Sequence, residues 1–510
     1  MRAFVRARGR APVSLLDRYV VLFALAMAAV VAGHPISSAL AGLAGRVEIA
    51  QVGPGVALVV LAYAGFVAAA RAAGPVVVTA ADAAWLVLSP LDRRGVLGRT
   101  GRVLLLVSVV AGVGLGLGLL AVLGAPDQLV WRLVAALVLG VSASAGGMAL
   151  AVLGQASQSW HAWVTAGLVA LLVVAVVAAS GQARGVLAAV AAAPLPAVAA
   201  AASAAALTST LLIRRAWTAL ARIPSRTILA ASTRAGHVAT ATVTLDPGAL
   251  TWIAEDNHWR ARSLRSRPWP ALLRVHHTHL TAPPAPAWQR VTRLATPFAP
   301  AWQDWLRAGR RPGRLAAMLA TAALPAVLAG AGGSPVAVGA SVLAGALAIA
   351  AGATSGARRD SDNPSLARLT GVGHRQALAA RALLPALLSG VWTTTALAGL
   401  SLAGWLPAGT WWLFGPLTAP AIAAAALRMA RRGPVDHSMP VIDTPGGAVP
   451  TGPLIWALIG VDLAVLGCVP VIAALVGSPG SLGGFLAAQA ALGMAVLAGY
   501  VLRSRAGRSA

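Results

Sequence analysis

The feature that most constrains this chain is a succession of long apolar runs. Twelve can be read along it, at 19–36, 54–70, 103–124, 133–153, 162–180, 190–213, 315–331, 335–352, 378–402, 409–427, 453–475 and 483–502. A helix crossing the hydrocarbon of a bilayer needs about 20 predominantly apolar residues, and each run approaches that length. The charge content agrees: 11% of the residues are charged, where a soluble protein carries about 25%. That balance argues against a water-soluble multidomain enzyme. The expected fold class is all-α, a polytopic membrane protein of about 12 transmembrane helices.

The basic residues decide the orientation. All 40 are arginine, set against 14 acids for a net charge of +26. Such a balance can signal nucleic-acid binding, so the positions matter. With the N-terminus inside and the runs alternating, inside segments hold 37 arginines, and outside loops keep only Arg46, Arg132 and Arg184. That asymmetry is the positive-inside bias of membrane proteins. It predicts no nucleic-acid partner, cytoplasmic N- and C-termini and a multi-pass protein of the cell membrane. The first run follows Arg2, Arg6, Arg8 and Arg10 and superficially resembles a signal peptide. Its n-region is long and many runs follow, so an uncleaved first helix is expected. Without lysine, the chain has no standard Walker A loop, whose Lys reaches the nucleotide phosphates. The single cysteine, Cys468, excludes an intrachain disulfide and a cysteine metal cluster.

One long polar stretch divides the runs into six and six. The expected organisation is an N-terminal six-helix half (1–213), a cytoplasmic connecting segment (214–313) and a C-terminal six-helix half (314–510). Six is even, so the halves share one orientation, as in a parallel repeat. The connecting segment contains a strand candidate, His237–Leu245, and an Asp-Pro-Gly turn at Asp246–Gly248. From Trp288 to Arg314 it sets Phe298, Trp302, Trp305 and Leu306 beside Arg307, Arg310 and Arg311. That reads as an amphipathic helix on the membrane surface, where Trp and Arg are suited to the interface.

A local echo supports the repeat. The stretch Ala81–Arg99 follows the second run of the first half, and Asn363–Arg381 follows the second run of the second half. Both begin polar, pass through a short apolar stretch, break at Ser89-Pro90 or Gly371-Val-Gly373, and place one Arg six residues before another. Arg93 and Arg99 thus match Arg375 and Arg381.

The residues Asp82–Arg94, with the pattern Asp-x-x-x-Leu-x-x-Ser-Pro-Leu-Asp-Arg-Arg, resemble the first cytoplasmic loop of ABC-2-type exporter permeases. Together with Leu245-Asp-Pro-Gly248 and Arg310-Arg-Pro-Gly-Arg314, they make the chain similar to DUF6297, an actinobacterial family of ABC-exporter-like membrane proteins. The resemblance implies a membrane subunit driven by a separate ABC ATPase in two copies. It also implies that the loop between the second and third spans forms a coupling helix docking on that ATPase. Carried over, the candidates are Ala81–Arg94 and Ser365–Gln376. The named residues are Asp82, Trp85, Leu88, Pro90, Asp92, Arg93, Arg94 and, in the second copy, Arg375. The second copy departs from the pattern, with Gly371-Val-Gly-His in place of Ser-Pro-Leu-Asp. On physical grounds, Trp85, Leu86 and Leu88 suit a partner groove with charged residues at its rim. The alternative is that Trp85 rests in the lipid interface and the arginines only hold the loop inside.

Two polar residues stand out within the runs. Asp462 lies ten residues into the eleventh, where a carboxylate costs about 2.5–3.5 kcal/mol on insertion scales, so it needs a cavity, a partner or a proton. Gln489 lies in the twelfth. Thr393–Thr395 read as structural hydroxyls, and Gly112–Gly118 with Ser142, Ser144 and Gly146 as sites of close helix packing. His276, His277 and His279 have no acids or cysteines nearby and read as solvated, so no metal and no cofactor is expected.

The functional expectation is the permease subunit of an ABC-type exporter, in contact with membrane lipids and doing no chemistry of its own. The alternatives are a secondary transporter using the embedded Asp462, or a permease-derived protein that transports nothing. A membrane enzyme ranks lowest, because Glu48 and Asp127 are the only acids outside.

Overall fold

The computed structural model describes residues 49–78, 93–125, 128–225, 227–233, 298–309, 312–363, 371–433, 435–436, 438–444, 447–477 and 479–504. The first part comprises α1 (Ile49–Ala73), α2 (Arg93–Leu123), α3 (Leu129–Ala156), α4 (Gln158–Ala179), the short α5 (Arg184–Ala191) and α6 (Leu195–Ala219). The second comprises α7 (Ala299–Gly309), α8 (Pro312–Ala320), α9 (Leu324–Gly330), α10 (Pro335–Gly352), α11 (Ser355–Asp362), α12 (His374–Leu402) and α13 (Phe414–Ala430). A hairpin of β1 (Val441–Thr444) and β2 (Gly447–Pro450) precedes α14 (Thr451–Leu458), α15 (Val461–Gly467), α16 (Val469–Gly477) and α17 (Gly483–Arg503).

Among the described residues, nine helices are long and apolar enough to cross a membrane: α1, α2, α3, α4, α6, α10, α12, α13 and α17. The chain is therefore a helical membrane protein. Its outward residues fit that setting: Leu106, Val110, Trp163, Val176 and Leu207 are all more than 60% exposed, as a hydrocarbon surround allows. The run expected at 19–36 and the strand and turn expected at 237–248 lie outside the described residues. The helix of the sixth run continues past residue 213, carrying Arg214 and Arg215 to Ala219 and a final tight turn at Leu220–Arg222.

Two of the expected runs are interrupted. The run at 315–331 becomes α8, a tight turn at Thr321–Ala323 and α9, with Pro325 in the first turn of α9. The run at 453–475 breaks twice, at Gly460 and Cys468. Gly460 takes φ +98°, which side-chain-bearing residues rarely adopt, and a Cβ there would strike Met429 of α13. At the second break Pro470 has no N–H to give. The Gly467 carbonyl and Val471 N–H, partners in an unbroken helix, are separated, and the Gln489 side chain of α17 takes the place of their bond. Its Nε2 donates to Gly467 O at 2.7 Å, and its Oε1 accepts from Val471 N at 3.3 Å. The expectation of an all-α chain also missed the hairpin, in which Ile442 pairs with Val449.

Each half has a central helix of small residues. In the first, α3 buries Gly140, Ser142, Ser144, Ala145, Gly146 and Gly147 and packs against α1, α2, α4 and α6. In the second, α13 buries Ala421 and every residue from Ala423 to Ala426 and packs against α10, α12, α15 and α17. Small residues let helix axes approach where lipid tails supply no hydrophobic drive. Thus Gly112 and Gly116 of α2 face α3, and a Cβ on either would strike its backbone at Val141 or Ala136. Around the two centres the partners recur: α1 packs on α2 and α4, and α10 packs on α12 and α16. The halves meet where α9 lies against α1, with Gly330 close to Pro54.

Gln489→Leu keeps the volume but orphans two backbone groups. Thermal unfolding in detergent should show a loss of about 1–2 kcal/mol. An unchanged Tm would mean that Gln489 is not what holds the broken helix.

Candidate functional site

The two stretches that echo each other in sequence each connect one helix to the next long helix, and residues 79–92 and 364–370 within them lie outside the described residues. The described residues are the bases of these loops, and both bases are tied down.

In the second half the loop leaves α11 and returns into α12. Arg381, two turns into α12 and 7% exposed, closes it. Its Nε and Nη2 donate to the two carboxylate oxygens of Asp360 in α11, at 2.9 and 3.1 Å. This planar two-point match is one that Arg makes and Lys cannot. Arg381 Nη1 donates to Asp304 Oδ1 at 2.8 Å and to the Pro300 carbonyl at 2.9 Å. One guanidinium therefore joins α11, α12 and α7. Gly356 lines the site closely, and a Cβ there would strike both Arg381 and Asp304. Burial pushes the Asp304 carboxyl above its ordinary value, and Arg381 and Arg307 pull the other way.

This clasp explains the amphipathic helix. Asp304, 4% exposed, faces inward together with Pro300 and Ala301. Phe298, Trp302, Trp305 and Leu306 all point outward, with Trp302 and Phe298 more than 60% exposed. The helix is inverted relative to one on a soluble protein: a carboxylate holds it from within and aromatic residues face out. A cavity of about 50 Å³ beside Asp304 and Arg307 has room for little more than a water or two.

In the first half the base is held, among the described residues, by neutral hydrogen bonds. The segment after α1 is held by Gln155 at the end of α3. Its Oε1 accepts from Val76 N at 3.0 Å, and its Nε2 donates to Val76 O at 3.2 Å, so the side chain pairs with the backbone as a neighbouring strand would. Ser232 Oγ accepts from Val78 N at 3.1 Å, and Thr100 Oγ1 donates to Val77 O at 3.0 Å. Val76 packs with Leu97, Ile223 and Ile228 in a small core.

Of the residues singled out in sequence, Asp82, Trp85, Leu88, Pro90 and Asp92 lie outside the described residues. Arg93 and Arg94 open α2, and Arg375 is exposed in the first turn of α12. Asp462 is placed differently from the expectation. It is not embedded in a continuous helix but stands in the first turn of α15, just after the Gly460 break. Its Oδ1 accepts from the N–H groups of Gly460 and Leu463, each at 2.8 Å. Its Oδ2 pairs with Arg428 at 2.8 Å, and both side chains are more than a third exposed. Arg428 belongs to the last turn of α13, so Asp462 lies level with that helix end. It caps a helix and faces a cation there.

The same end gathers further arginine contacts. Arg432 lies over the Trp456 ring, 3.3 Å from its centroid, and Arg431 meets His374 at 3.2 Å. Among the described residues, no group of three His, Cys, Asp or Glu is placed to hold a metal; the 276–279 histidines lie outside them. Sequence reasoning missed Asp304, Asp360, Gln155 and Ser232. The paired arginines pointed toward the first two, since a buried guanidinium needs carboxylates. Nothing local marked Gln155.

The profile of one family, a family of unknown function designated DUF6297, matches residues 50–440. No curated protein and no solved structure matches the chain.

Arg381→Leu leaves buried Asp304 with only the longer Arg307 contact, at 3.5 Å, and should cost about 3 kcal/mol, with Arg381→Lys recovering only part because it cannot bind Asp360 at two points. The Leu variant raises the Asp304 carboxyl further. A carboxyl raised in the folded state stabilises at low pH and loses that contribution as pH rises from the ordinary 3.8 through the folded value. The variant's deficit in thermal unfolding should therefore shrink as pH falls; a deficit independent of pH would show that Asp304 is not the uncompensated group. Asp462→Asn, at an exposed pair, should change stability by less than about 1 kcal/mol.

Proposed function

The chain belongs to the DUF6297 family, and we propose that it is the permease subunit of an ABC-type exporter, energised by a separate ATPase present in two copies. What supports this reading is the recurrence of one arrangement: in each half, a connection whose described ends are anchored leads into a long helix that packs against a small-residue central helix. Such loops, at equivalent places in two halves, are where a pair of identical partners can push on both halves at once. The chain itself supplies no chemistry. Closure of the ATPase pair on ATP moves the loops, and the anchored bases pass that movement to α2 in the first half and to α7, α11 and α12 in the second.

The architecture that goes with this is two parallel six-helix halves, 1–213 and 314–510, joined by a cytoplasmic segment, 214–313, with α7 lying in the interface. The recurring helix partners support it. With the arginine-rich ends inside, both termini lie in the cytoplasm of a cell-membrane protein. The rival reading, a gradient-driven carrier, relied on a lone carboxylate in mid-membrane, and the Arg428 partner of Asp462 weakens that motive.

Purification of the tagged protein from its native host in mild detergent should bring down, in stoichiometric amount, a soluble subunit carrying a Walker A motif. Trp85→Ala combined with Asp92→Ala should abolish that association while leaving membrane insertion intact. Repeated purification without any ATPase, or association indifferent to the double substitution, would overturn the proposal.

A further inference from the structure

The start of α2 and the ends of α3 and α6 meet around an open apolar slot of about 90 Å³. Leu104 and Leu105 of α2, Met148 and Val152 of α3, and Ile213 and Trp217 of α6 form its walls. The one hydroxyl in its lining, that of Ser108, is spent on Leu104 O at 2.8 Å. The spans begin at Thr100 and end at Ala156 and Arg222, so the slot opens at the depth where hydrocarbon gives way to headgroups. Trp217, about half exposed, suits that depth. Its ring lies against Gly101, where an added Cβ would come within 3.3 Å. Protein fills the comparable corner of α12, α13 and α17, where Tyr500 and Val501 close onto a core that includes Ala382, Ala423 and Leu427. Two exposed arginines rim the slot. Arg102 stands one turn before Leu105 and Arg214 one turn before Trp217, so each shares the slot's side of its helix. Among the described residues neither has an acidic partner. Arg215 lies on the other side of α6, away from Ile213 and Trp217.

We propose that the slot and its two arginines bind one anionic phospholipid, with an acyl chain in the slot and the headgroup phosphate on Arg102 and Arg214. The two halves of the site match the two halves of such a molecule. An apolar cleft at hydrocarbon depth takes a chain, and a guanidinium meets a phosphate at two points. Basic pockets between spanning helices are suited to anionic headgroups. A zwitterionic lipid brings its own cation to its phosphate and competes with the arginines, so the site selects net negative charge. The inference needs the chain to span a membrane and does not depend on the repeat, on an ATPase partner or on transport.

The test uses the full-length protein in mild detergent, given phosphatidylglycerol or phosphatidylcholine with identical chains, and counts bound lipid by native mass spectrometry. One phosphatidylglycerol should be retained where phosphatidylcholine is lost. Arg102→Gln with Arg214→Gln should weaken that retention by about tenfold, whereas Arg215→Gln with Arg375→Gln, equal in charge, should leave it unchanged. In proteoliposomes, phosphatidylglycerol carrying a diazirine on its acyl chain should label the peptides that contain 101–108 and 213–220. Ile213→Trp fills the slot from a partly exposed position and should abolish that labelling. Leu105→Trp, at a more exposed position, makes the same test from α2, and thermal unfolding confirms that each variant is folded. Equal retention of the two lipids, retention indifferent to Arg102 and Arg214, labelling confined to other peptides, or labelling indifferent to both Trp variants would overturn the proposal. None of these outcomes bears on ATPase co-purification, so the two readings fail independently.

Discussion

In hydrocarbon no water satisfies a backbone N–H or C=O, so every departure from continuous helix must bring its own partner. The rest of the structure follows from that constraint. Most spans meet it by being unbroken. The eleventh run does not, and it shows what a break requires: at Gly467 and Val471 the missing bond is supplied by Gln489 from a neighbouring helix. At Gly460 the exposed N–H groups are supplied by Asp462 from within the same turn. The polar residues that stand out in the apolar sequence are, in both cases, repairs to the backbone. By contrast, α4 is one helix from Gln158 to Ala179. Among the described residues these interruptions lie in the second part of the chain, where the run at 315–331 is also divided, between α8 and α9.

Charge is handled separately, at the helix ends. Several arginines are engaged by named partners. Arg381 holds two carboxylates, Arg428 holds one, Arg432 stacks on Trp456, and Arg132 on the opposite side donates to Ala193 O. A guanidinium is always charged and offers five donors in a fixed plane. It therefore satisfies carbonyls and carboxylates at a helix terminus without the uncertainty of protonation. With few acids in the chain, the placement of Asp304 and Asp360 on one arginine marks that junction as a specific one.

The spanning helices were legible in the sequence because burial in lipid demands length and apolarity together, and among the described residues nine of the expected runs are helices long and apolar enough to span. Their ends were less legible. Arg214 and Arg215 suggested a boundary at 213, but long arginine side chains can reach the interface from within a helix, and α6 runs on. The breaks at Gly460 and Pro470 were hidden because a broken helix is as apolar as an intact one. The hairpin strands at 441–444 and 447–450 flank a Pro445-Gly446-Gly447 sequence, which was not read as a signal. For the candidate site, sequence singled out Arg375 and the stretch Ser365–Gln376, and met Arg381 only as the second arginine of the echoed spacing. It did not give Asp304, which is 77 residues away, or Gln155, which acts on the backbone of Val76. Partners that far apart are joined only by the packing of spans.

The two loop bases differ in kind, and the difference has a consequence for any partner that engages both. Gln155, Ser232 and Thr100 bind main chain through neutral hydrogen bonds, which reaching a new protonation state cannot break. The second base depends on one guanidinium shared by Asp304 and Asp360. Asp304 is buried and already drawn toward its neutral form by desolvation, so the same force that moves α7 also changes how well its carboxylate is paired. On the permease reading, a push on the first loop is delivered to α2 through a neutral, short-range anchor. A push on the second reaches α12, α11 and the interfacial helix together. Two identical ATPase subunits would then meet two unequal levers, and the half with the broken helices is the one whose lever is charged.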